Sequence, residues 1–449
     1  MQLPELFIER MQSLLGDDFL KFEQALQQAP PVSVRINDKL NNYRPSDKQV
    51  PWCDTGYYLH ERPLFTADPL LHAGVYYVQE ASSMFLKYIS HTFLQDAETV
   101  LDLCAAPGGK STVLLESLSE NTLLVANEII SSRANILAEN LTKWGNSNIV
   151  VTNNAPKDFQ AFPAAFDAIV VDAPCSGEGM FRKDPIAIQE WSMQNVQNCV
   201  NRQKDLLQNV WNSLKNNGLL IYSTCTYNRE ENEEQIAWLC DELDATYLNI
   251  DISSFPGIVE TDYGYRFYPH KIEGEGLFIA VLRKGGVKHA HQSNKKKQSN
   301  RLKTKTFTDR WQDYHQGILH AENYQIIETN NQIRAIPKKH FDFCMDIQSK
   351  LRTILNGVLL AEIKGKDHIP AHQFALSKII NHQQFQLYEV DYQTAITFLK
   401  RENLQIPIVE KGSYVLITYQ KQALGWVKYL GNRTNNLYPM PWRIRMSIG

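Results

Sequence analysis

Val100-Leu-Asp-Leu-Cys-Ala-Ala-Pro-Gly-Gly-Lys110 is the stretch of sequence that decides the fold. It predicts an apolar strand, a glycine-rich turn and the start of a helix, an arrangement that suits a nucleotide-like cofactor. Two further apolar runs predict buried strands and end just before the loops that contain Cys175 and Cys225. Each thiol is therefore expected where a strand gives way to a loop, which is where α/β folds carry their chemistry.

Strands and helices alternate through the segment around this stretch. Such alternation predicts an α/β fold with a mostly parallel, doubly wound sheet. The turn Gly274-Glu-Gly276 and the apolar run Leu277-Phe-Ile-Ala-Val-Leu282 predict an antiparallel end to that sheet. The predicted strands are 99–103, 122–127, 148–152, 166–172 and 218–223, and the predicted helices are 110–119, 131–144, 195–216 and 230–243.

The 449 residues are enough for two to four domains. Helical spacing within residues 4–28, broken around Gly16, and a strand at Val32–Ile36 predict a small α+β domain before the sheet. Lysines and arginines without any acidic residue occupy the stretch 284–305, which predicts a linker. The expected division is an N-terminal domain at 1–90, the sheet domain at 91–284, a basic linker at 285–309 and an α+β region at 310–449.

Composition excludes several classes of protein. No apolar run approaches the roughly 18 residues of a membrane span, and the start of the chain lacks the features of a signal peptide, so we expect a cytoplasmic protein without membrane contact. The seven cysteines show no C-x-x-C pair and no metal-like spacing with histidine, which argues against a zinc site or a disulfide framework. The net charge of −3 neither indicates nor excludes nucleic acid, and we expect a monomer.

The glycine-rich turn does not match the common phosphate-binding motifs. Gly109-Lys110-Ser111 imitates the end of an ATPase loop, but the first glycine of that motif would fall on Cys104, and G-x-G-x-x-G is absent there. What remains is a helix start with two glycines, followed by Glu128 at the end of the next strand, where a carboxylate can accept both hydroxyls of a ribose. On this loop alone, a cofactor site and a plain tight turn explain the residues equally well.

The two strand-end cysteines favour a specific chemistry. C5 of cytosine becomes a good nucleophile when a thiolate adds to C6, so methylation at C5 needs a thiolate, a group for N3 and the exocyclic amine, a methyl donor and a base. Asp172 can bind N3 and the amine, and Cys175 and Cys225 can supply the thiolate and help to break the adduct. Cys199 and Cys240, on predicted helices, are interpreted as inert. Candidate cations near the thiols are Lys110, Arg182 and Lys183, and the acidic run 230–234 is interpreted as the first turn of a helix.

Three motifs in order resemble the S-adenosylmethionine-dependent RNA cytosine-C5 methyltransferases. They are the stretch 101–110, Asp172-Ala-Pro-Cys-Ser-Gly-Glu-Gly179 with Arg182-Lys-Asp-Pro185, and Ser223-Thr-Cys-Thr-Tyr-Asn-Arg-Glu-Glu-Asn232. Ser33-Val-Arg-Ile-Asn37 and the run 76–84 resemble the N-terminal extension of that family. The ending, 425–433 and 441–443, is similar to the bacterial 16S rRNA branch of the RsmF type, whose tail carries a PUA-like RNA-binding module.

The resemblance implies a Rossmann-like methyltransferase sheet, S-adenosylmethionine as cofactor and RNA as partner, with 16S rRNA as the RNA that the tail favours. It implies that Cys225 is the nucleophile, that Cys175 assists product release, that Asp172 faces both cofactor and cytosine, and that Lys110 belongs to the same site. An Asp that the family often places near the adenine is replaced by Ala155, so Asn153, Asn154 or a backbone amide is expected there. The residues implied to contact the cofactor are Cys104, Ala105, Ala106, Pro107, Gly108, Gly109, Lys110, Glu128 and Asp172.

Three alternatives stay open on the sequence. A tRNA cytosine-C5 methyltransferase shares the three motifs, a non-catalytic RNA-binding or assembly protein would not need the thiols, and an NAD-dependent dehydrogenase would normally carry G-x-G-x-x-G. The aromatic and basic tail favours contact with RNA through some of its Arg and Lys residues, while many of its aromatic residues are expected to form the core of a small β-barrel. The tail residues are Trp426, Lys428, Tyr429, Arg433, Tyr438, Trp442, Arg443 and Arg445.

Overall fold

The computed structural model describes residues 2–37, 48–286, 305–306, 312–407 and 409–446. Most of the predicted basic linker lies outside these residues. A search of the described helices for one with the length and hydropathy of a membrane span finds none.

The chain begins with an α+β part that agrees with the sequence pattern. The helix pair changes direction at Gly16, and the strand at Val32–Ile36 is present as predicted. The elements are α1 (Glu5–Leu15), α2 (Phe19–Gln27), β1 (Val32–Ile36), β2 (Gln49–Val50), β3 (Cys53–Leu59), α3 (Pro69–His72), β4 (Tyr76–Val78) and α4 (Leu86–Phe93). The four strands form an antiparallel sheet in the order β2-β3-β1-β4.

The alternating strands and helices follow and form the central part. Its helices are α5 (Gly109–Ser117), α6 (Ser131–Trp144), α7 (Pro185–Glu190), α8 (Met193–Trp211) and α9 (Glu233–Glu242). Its strands are β5 (Thr99–Asp102), β6 (Leu123–Asn127), β7 (Ile149–Thr152), β8 (Phe166–Asp172), β9 (Leu214–Thr224), β10 (Ala245–Leu248), β11 (Ile258–Thr261), β12 (Gly264–Phe267) and β13 (Leu277–Lys284).

The central sheet places the cofactor turn and the cysteine loops at one edge. Strands β7, β6, β5, β8 and β9 are parallel neighbours in that order, and β13 joins β9 antiparallel, as the sequence predicts. The strand order reverses between β5 and β8, and ligands of open α/β sheets bind in the crevice at such a reversal. The turn after β5 and the loops after β8 and β9 therefore meet at the carboxyl edge of the sheet.

Side chains alternate across this sheet and fill a core on both faces. Val100 and Val170 belong to the apolar cluster on one face, while their neighbours Leu101 and Ile169 belong to the cluster on the other. These four side chains are at most 1% exposed. Because both faces are covered, the strands carry continuous apolar runs rather than an apolar and polar alternation.

Two expectations for this part were wrong in detail. The helix predicted at 195–216 ends at Trp211, and Leu214 already pairs with Phe166 of β8. Leu214 is fully buried, so pairing within the sheet outweighs the helical preference of Leu214 and Lys215. The short strands β10 and β11, which lengthen the antiparallel end, were not predicted.

The remaining part of the chain forms two further sheets and completes the central one. The helices are α10 (Gln312–Gln316), α11 (Phe341–Lys350), α12 (His372–Leu376) and α13 (Tyr392–Leu399). The strands are β14 (Lys305–Thr306), β15 (Tyr324–Thr329), β16 (Gln332–Pro337), β17 (Thr353–Asn356), β18 (Val358–Lys364), β19 (Asp367–Pro370), β20 (Gln386–Glu389), β21 (Tyr414–Tyr419), β22 (Gln422–Tyr429) and β23 (Thr434–Asn436). Their orders are β14-β15-β16-β18-β19 and β20-β21-β22-β23, while β17 pairs antiparallel with β7.

The sheet β20–β23 shares an apolar core with the first part of the chain. Val34 and Ile36 of β1 lie in one buried cluster with Ile417 of β21 and Val427 of β22. Tyr438 belongs to the same cluster and is 1% exposed. Residues separated by almost 400 positions therefore form a single packed unit.

Candidate active site

An ion pair joins the cofactor turn to the end of β8. Oδ1 of Asp172 lies 2.8 Å from Nζ of Lys110, in the first turn of α5, and accepts a hydrogen bond from Ser223 Oγ at 2.9 Å. Burial lowers the pKa of Lys110, but the adjacent Asp172 carboxylate more than offsets it, so the net shift of the pKa is upward. Lys110 is thus a firmly charged group that orients the Asp172 carboxylate at the sheet edge.

The thiols of Cys175 and Cys225 are in direct contact. Their Sγ atoms lie 3.3 Å apart, and both residues are partly exposed. Strands β8 and β9 are parallel neighbours with Asp172 opposite Ser223, so the loops that follow run side by side. The hydrogen bond with Cys225 and burial both raise the pKa of Cys175 well above its ordinary value. The Cys175 thiol is therefore harder to deprotonate than an ordinary cysteine.

The turn after β5 is tight and braced from α6. Gly108 precedes α5 with φ of 116°, a conformation that L side chains rarely adopt. The side chain of Arg133 donates to the carbonyl of Ala106, and that of Asn140 donates to the carbonyl of Pro107, both at 2.8 Å. Burial raises the pKa of Cys104 far above its ordinary value, so its thiol stays protonated. Any contact of this thiol with a ligand is therefore that of a neutral group.

The two acidic residues beside this turn are buried. Glu128 is 3% exposed; its Oε1 accepts the backbone N–H of Ile130 at 2.9 Å, and its Oε2 lies 3.5 Å from the half-exposed Arg133. Asp102, at the end of β5, accepts a hydrogen bond from Ser111 Oγ at 2.6 Å, and burial raises its pKa to about 7. Its Oδ1 has no hydrogen-bond partner among the described residues.

These residues fit the parts of S-adenosylmethionine. The first N–H groups of α5 lack acceptors within the helix and favour an anion such as the carboxylate of the amino acid part. Oε2 of Glu128 is free of backbone bonds and can accept ribose hydroxyls once Arg133 turns toward solvent. The glycine turn lets the ligand approach the backbone, so the chemistry and placement of the implied residues agree with this cofactor.

The expected adenine-binding amides are engaged elsewhere. Nδ2 of Asn153 donates to the carbonyls of Glu128 and Ile129, at 2.7 and 2.9 Å, and Nδ2 of Asn154 donates to the carbonyl of Arg352 at 3.1 Å. The backbone N–H of Ala155 donates to Asp158 at 2.9 Å. Both N–H bonds of the Asn153 amide therefore have acceptors, whereas the Asn154 amide uses one of its two.

Arg182 and Lys183, expected near the thiols, pair elsewhere. Nε of Arg182 lies 3.9 Å from the Glu275 carboxylate, and Nζ of Lys183 lies 3.6 Å from it. The guanidinium of Arg182 also donates to the carbonyl of Gly274 at 3.0 Å. In this structure both side chains fix the turn before β13. Their closeness to Cys175 in the sequence could not reveal that their partner is Glu275. Cys199 and Cys240 lie on α8 and α9, as predicted.

The acidic run 230–234 has a larger role than a helix start. Glu233 and Glu234 do occupy the first turn of α9. Glu233 forms a buried ion pair with Arg266, however, and Glu231 is fully buried against the Cys175 loop. Glu178 is equally buried against the Cys225 loop. These contacts with Glu231 and Glu178 were not predicted, although each carboxylate lies within six residues of a strand-end cysteine.

The tail residues divide as the sequence predicts. Trp426 and Tyr438 are 1% exposed, and Tyr429 is 8% exposed, so these aromatic side chains form core. Lys428 pairs with Asp367 at 3.0 Å. The exposed basic side chains are Arg433, Arg443 and Arg445.

Known family models match three segments of the chain. A model of the 16S rRNA methyltransferase RsmB/F matches residues 92–283. Models of the N-terminal domain of 16S rRNA methyltransferase RsmF and of the methyltransferase RsmF PUA domain match residues 3–81 and 385–444. The three segments contain the first α+β part, the central sheet with the thiol pair, and the sheet β20–β23.

Curated relatives are similar over nearly the whole chain. Ribosomal RNA small subunit methyltransferase F of Vibrio cholerae is 31% identical over 470 residues, covering 97% of each chain. The protein of the same name from Enterobacter sp. is 30% identical over 469 residues, covering 97% of this chain and 95% of the relative. The match therefore includes the C-terminal part as well as the catalytic sheet.

Solved structures share the fold of nearly two thirds of the chain. A methyltransferase homologue from Pyrococcus horikoshii aligns with a TM-score of 0.54 and 29% identity, covering 63% of this chain and 95% of that one. NSun6 from the same organism, solved with SFG, aligns with a TM-score of 0.54 at 19% identity, covering 63% and 99%. The family resemblance, the fold and the cofactor inferred from the sequence are confirmed. The chain belongs to the RsmF family of 16S rRNA methyltransferases, enzymes that use S-adenosylmethionine to methylate RNA.

Proposed function

We propose that this chain methylates C5 of a cytidine in 16S rRNA through a covalent bond between Cys225 and C6 of the base. The observation that carries this proposal is the contact of the two thiols, 3.3 Å apart, beside the ion pair of Lys110 and Asp172. Methylation of an exocyclic amine or a ribose hydroxyl needs no thiol. A pair of thiols at the cofactor edge therefore favours a carbon target, which must be activated by covalent addition.

Cys225 is the nucleophile and Cys175 assists its departure. In this proposal the Cys175 thiol, whose pKa is raised, keeps its proton and directs its S–H to Cys225 Sγ, 3.3 Å away. The sulfur that receives the hydrogen bond is the better one to carry negative charge. The same hydrogen bond stabilises the Cys225 thiolate again when it leaves the adduct.

The reaction proceeds in two stages at the base. Sγ of Cys225 adds to C6, and the electron pair of the C5–C6 double bond makes C5 nucleophilic while the Asp172 carboxylate accepts a hydrogen bond from the exocyclic amine. The methyl group that C5 takes up would come from the sulfonium of S-adenosylmethionine, whose S–CH3 bond breaks to leave S-adenosylhomocysteine. Loss of the C5 proton to a base then restores the double bond, breaks the Sγ–C6 bond and returns the electron pair to Cys225.

Asp172 and Lys110 orient the base in this scheme. Lys110 holds one oxygen of Asp172, so the carboxylate enters the reaction with its position fixed. C6 is attacked from a face of the ring that stacking covers in a helix, so the target cytidine must be unstacked or already single-stranded. The exposed arginines of the tail then bind flanking phosphates.

Methyl transfer to defined RNAs tests the proposal. The protein is incubated with methyl-labelled S-adenosylmethionine and, separately, with naked 16S rRNA, assembled small subunits and bulk tRNA, and the label is mapped to a nucleotide. Label as 5-methylcytosine in 16S rRNA or subunits is expected. Label on another atom of the base would overturn the chemistry, and label in tRNA alone would overturn the target.

A further inference from the structure

The loops that carry the two thiols exchange carboxylates. Glu178, three residues after Cys175, accepts the backbone N–H groups of Tyr227 and Asn228 through Oε2, at 2.7 and 2.9 Å. Glu231, six residues after Cys225, accepts the backbone N–H of Ser176 through Oε2 at 3.0 Å. Each carboxylate thus binds main-chain groups next to the opposite thiol.

The side chain of Asn228 links the two carboxylates. Its Nδ2 lies 2.7 Å from Oε1 of Glu231 and 3.2 Å from Oε1 of Glu178, and its Oδ1 accepts the backbone N–H of Glu231 at 2.9 Å. We call Glu178, Asn228 and Glu231 the carboxylate clasp. The remaining donors are the indole of Trp191, to Glu178 at 2.9 Å, and the amide of Gln203, to Glu231 at 2.9 Å.

Burying this clasp opposes folding unless every oxygen is satisfied. Glu178 is 1% exposed and Glu231 is fully buried, and neither forms an ion pair within the part of the chain that the structure describes. Neutral donors alone bind both, and burial raises the pKa of Glu231. A buried carboxylate without a cation is costly. An apolar core would hold two loops together at lower cost, so the use of directional acceptors points to a demand for precise geometry.

The two cysteine loops also contact each other at successive residues. The Sγ atoms of Cys175 and Cys225 lie 3.3 Å apart, and the hydroxyls of the next residues, Ser176 and Thr226, lie 2.9 Å apart. The backbone N–H of Gly179 donates to the carbonyl of Cys225 at 2.8 Å, and a Cβ on Gly179 would lie 2.8 Å from that oxygen. The loops therefore run at backbone contact distance, and the clasp lies just beyond the thiols.

We propose that Glu178 and Glu231 are positioning residues that set the distance between the Cys175 and Cys225 sulfurs. The inference rests on the proposed function, in which Cys225 adds to C6 and Cys175 assists its release. A carboxylate is required at both positions because all its oxygens accept hydrogen bonds from fixed donors. Glutamine would aim an N–H₂ group at a donor and leave one of these contacts unmade.

The distance can be measured without methyl transfer by thiol oxidation. Diamide takes up two electrons and two protons while the two thiols form one S–S bond, so its rate of joining Cys175 to Cys225 reports how often the sulfurs meet. The disulfide is identified by peptide mass mapping, and kcat and KM for 16S rRNA are measured on the reduced protein. The variants are Glu178→Gln and Glu231→Gln, with Glu234→Gln, in the same acidic run but exposed, as control.

Both Gln variants are expected to form the disulfide at least about tenfold more slowly than the parent protein. Their kcat should fall by about 10- to 100-fold, with KM and S-adenosylmethionine affinity within about threefold of the parent values, since small misplacement of reacting groups costs rates of this order. Glu234→Gln should match the parent in all respects. An unchanged rate of disulfide formation in folded Glu178→Gln and Glu231→Gln would overturn the clasp.

The two proposals fail in different ways. If disulfide formation slows while kcat is unchanged, the clasp still sets the distance between the sulfurs, but the proposed function, in which both thiols act in the reaction, is overturned. If a Gln variant does not fold, Trp191→Phe replaces it as the test of the clasp, because this change removes one donor to Glu178 and keeps the carboxylate. Trp191→Phe should slow disulfide formation by about two- to fivefold, and a parent-like rate would count against the clasp.

Discussion

Lys110 and Asp172 form the ion pair that connects the cofactor turn to the cysteine loops, with Nζ and Oδ1 2.8 Å apart. The Lys110 side chain is 13% exposed and that of Asp172 is 38% exposed, so the cation lies beneath a carboxylate that solvent and substrate can reach. The pair thereby presents one oriented acceptor at the point where α5 and β8 meet.

Lys110→Met should lower kcat for methyl transfer by about 100-fold, because Asp172 loses the cation that orients it. Binding of S-adenosylmethionine, measured by calorimetry, should weaken less than kcat, since backbone groups supply most contacts to the amino acid part. Lys21→Met, which removes an exposed lysine paired with Asp18, is the matched control and should leave both quantities unchanged. Parent-like kcat for Lys110→Met would contradict the role of the ion pair.

Cys225→Ala should abolish methyl transfer while cofactor affinity stays within about twofold of the parent, because the substitution removes the proposed nucleophile but not the cofactor turn.

Cys175→Ala should instead accumulate a protein–RNA adduct that survives a denaturing gel, because the departing thiolate loses its hydrogen-bond donor. The double variant should form no adduct. Cys240→Ala, on α9, is the control, and an adduct in Cys225→Ala would refute the assignment of the nucleophile.

Asp102→Asn should remove part of the pH dependence of stability. The pKa of Asp102 is about 7 in the folded chain and about 3.9 when unfolded, so the folded state binds the proton more tightly. The stability that this group contributes is full below about pH 4 and is lost as the pH rises to about 7. The urea midpoint of the parent minus that of Asp102→Asn should therefore fall between pH 5 and pH 8, and a constant difference would contradict the shift.

Glu116→Gln should destabilise the chain by about 3 kcal/mol or more. The Glu116 carboxylate bonds the buried guanidinium of Arg35 and lies 2.5 Å from Nζ of Lys87, so the change leaves Arg35 without its anion and Lys87 with only the exposed Asp54 carboxylate. Urea unfolding monitored by tryptophan fluorescence measures the loss. The conservative Glu116→Asp should recover part of it, and a stable Glu116→Gln would show that the network is dispensable.

The tail predicts a contrast between two kinds of substitution. Arg443→Ala and Arg445→Ala remove exposed cations, so they should weaken 16S rRNA binding and reduce the salt dependence of the affinity by roughly one counterion for each lost phosphate contact. Trp426→Ala should act through folding instead, because the indole is 1% exposed and donates to the carbonyl of Ala371. Equal salt slopes for parent and arginine variants would exclude these arginines from phosphate contact.

Local patterns predicted the central sheet because its strands are short apolar runs separated by clear helix signals. The stretch 100–110 and the two cysteine loops could be placed at one edge, since parallel strands bring their carboxyl ends together. The pairing of β17 with β7 could not be predicted, because it joins residues about 200 positions apart by backbone bonds that leave no mark in the sequence. Strand β9 begins earlier than expected for a similar reason: Leu214 is placed by its partner Phe166.

The candidate active site could also be predicted from the sequence only in part. Cys175, Cys225 and Asp172 carry types of side chain whose chemistry can be inferred directly from residue type. Glu178 and Glu231 are ordinary acidic residues in sequence, and their significance comes from burial against a loop about 50 positions away. The amides at Asn153 and Asn154 were expected to be available for adenine, but the backbone carbonyls of Glu128 and Arg352, which are distant in the sequence, already accept from them.

The core shared by β1 and the sheet β20–β23 also orders events during synthesis. Val34 and Ile36 leave the ribosome long before Ile417 and Val427, the partners that cover them. Until those partners emerge, the early sheet presents an uncovered apolar surface on which chaperones can act. The N-terminal α+β part of this enzyme therefore reaches its final packing only after nearly the whole chain has been translated.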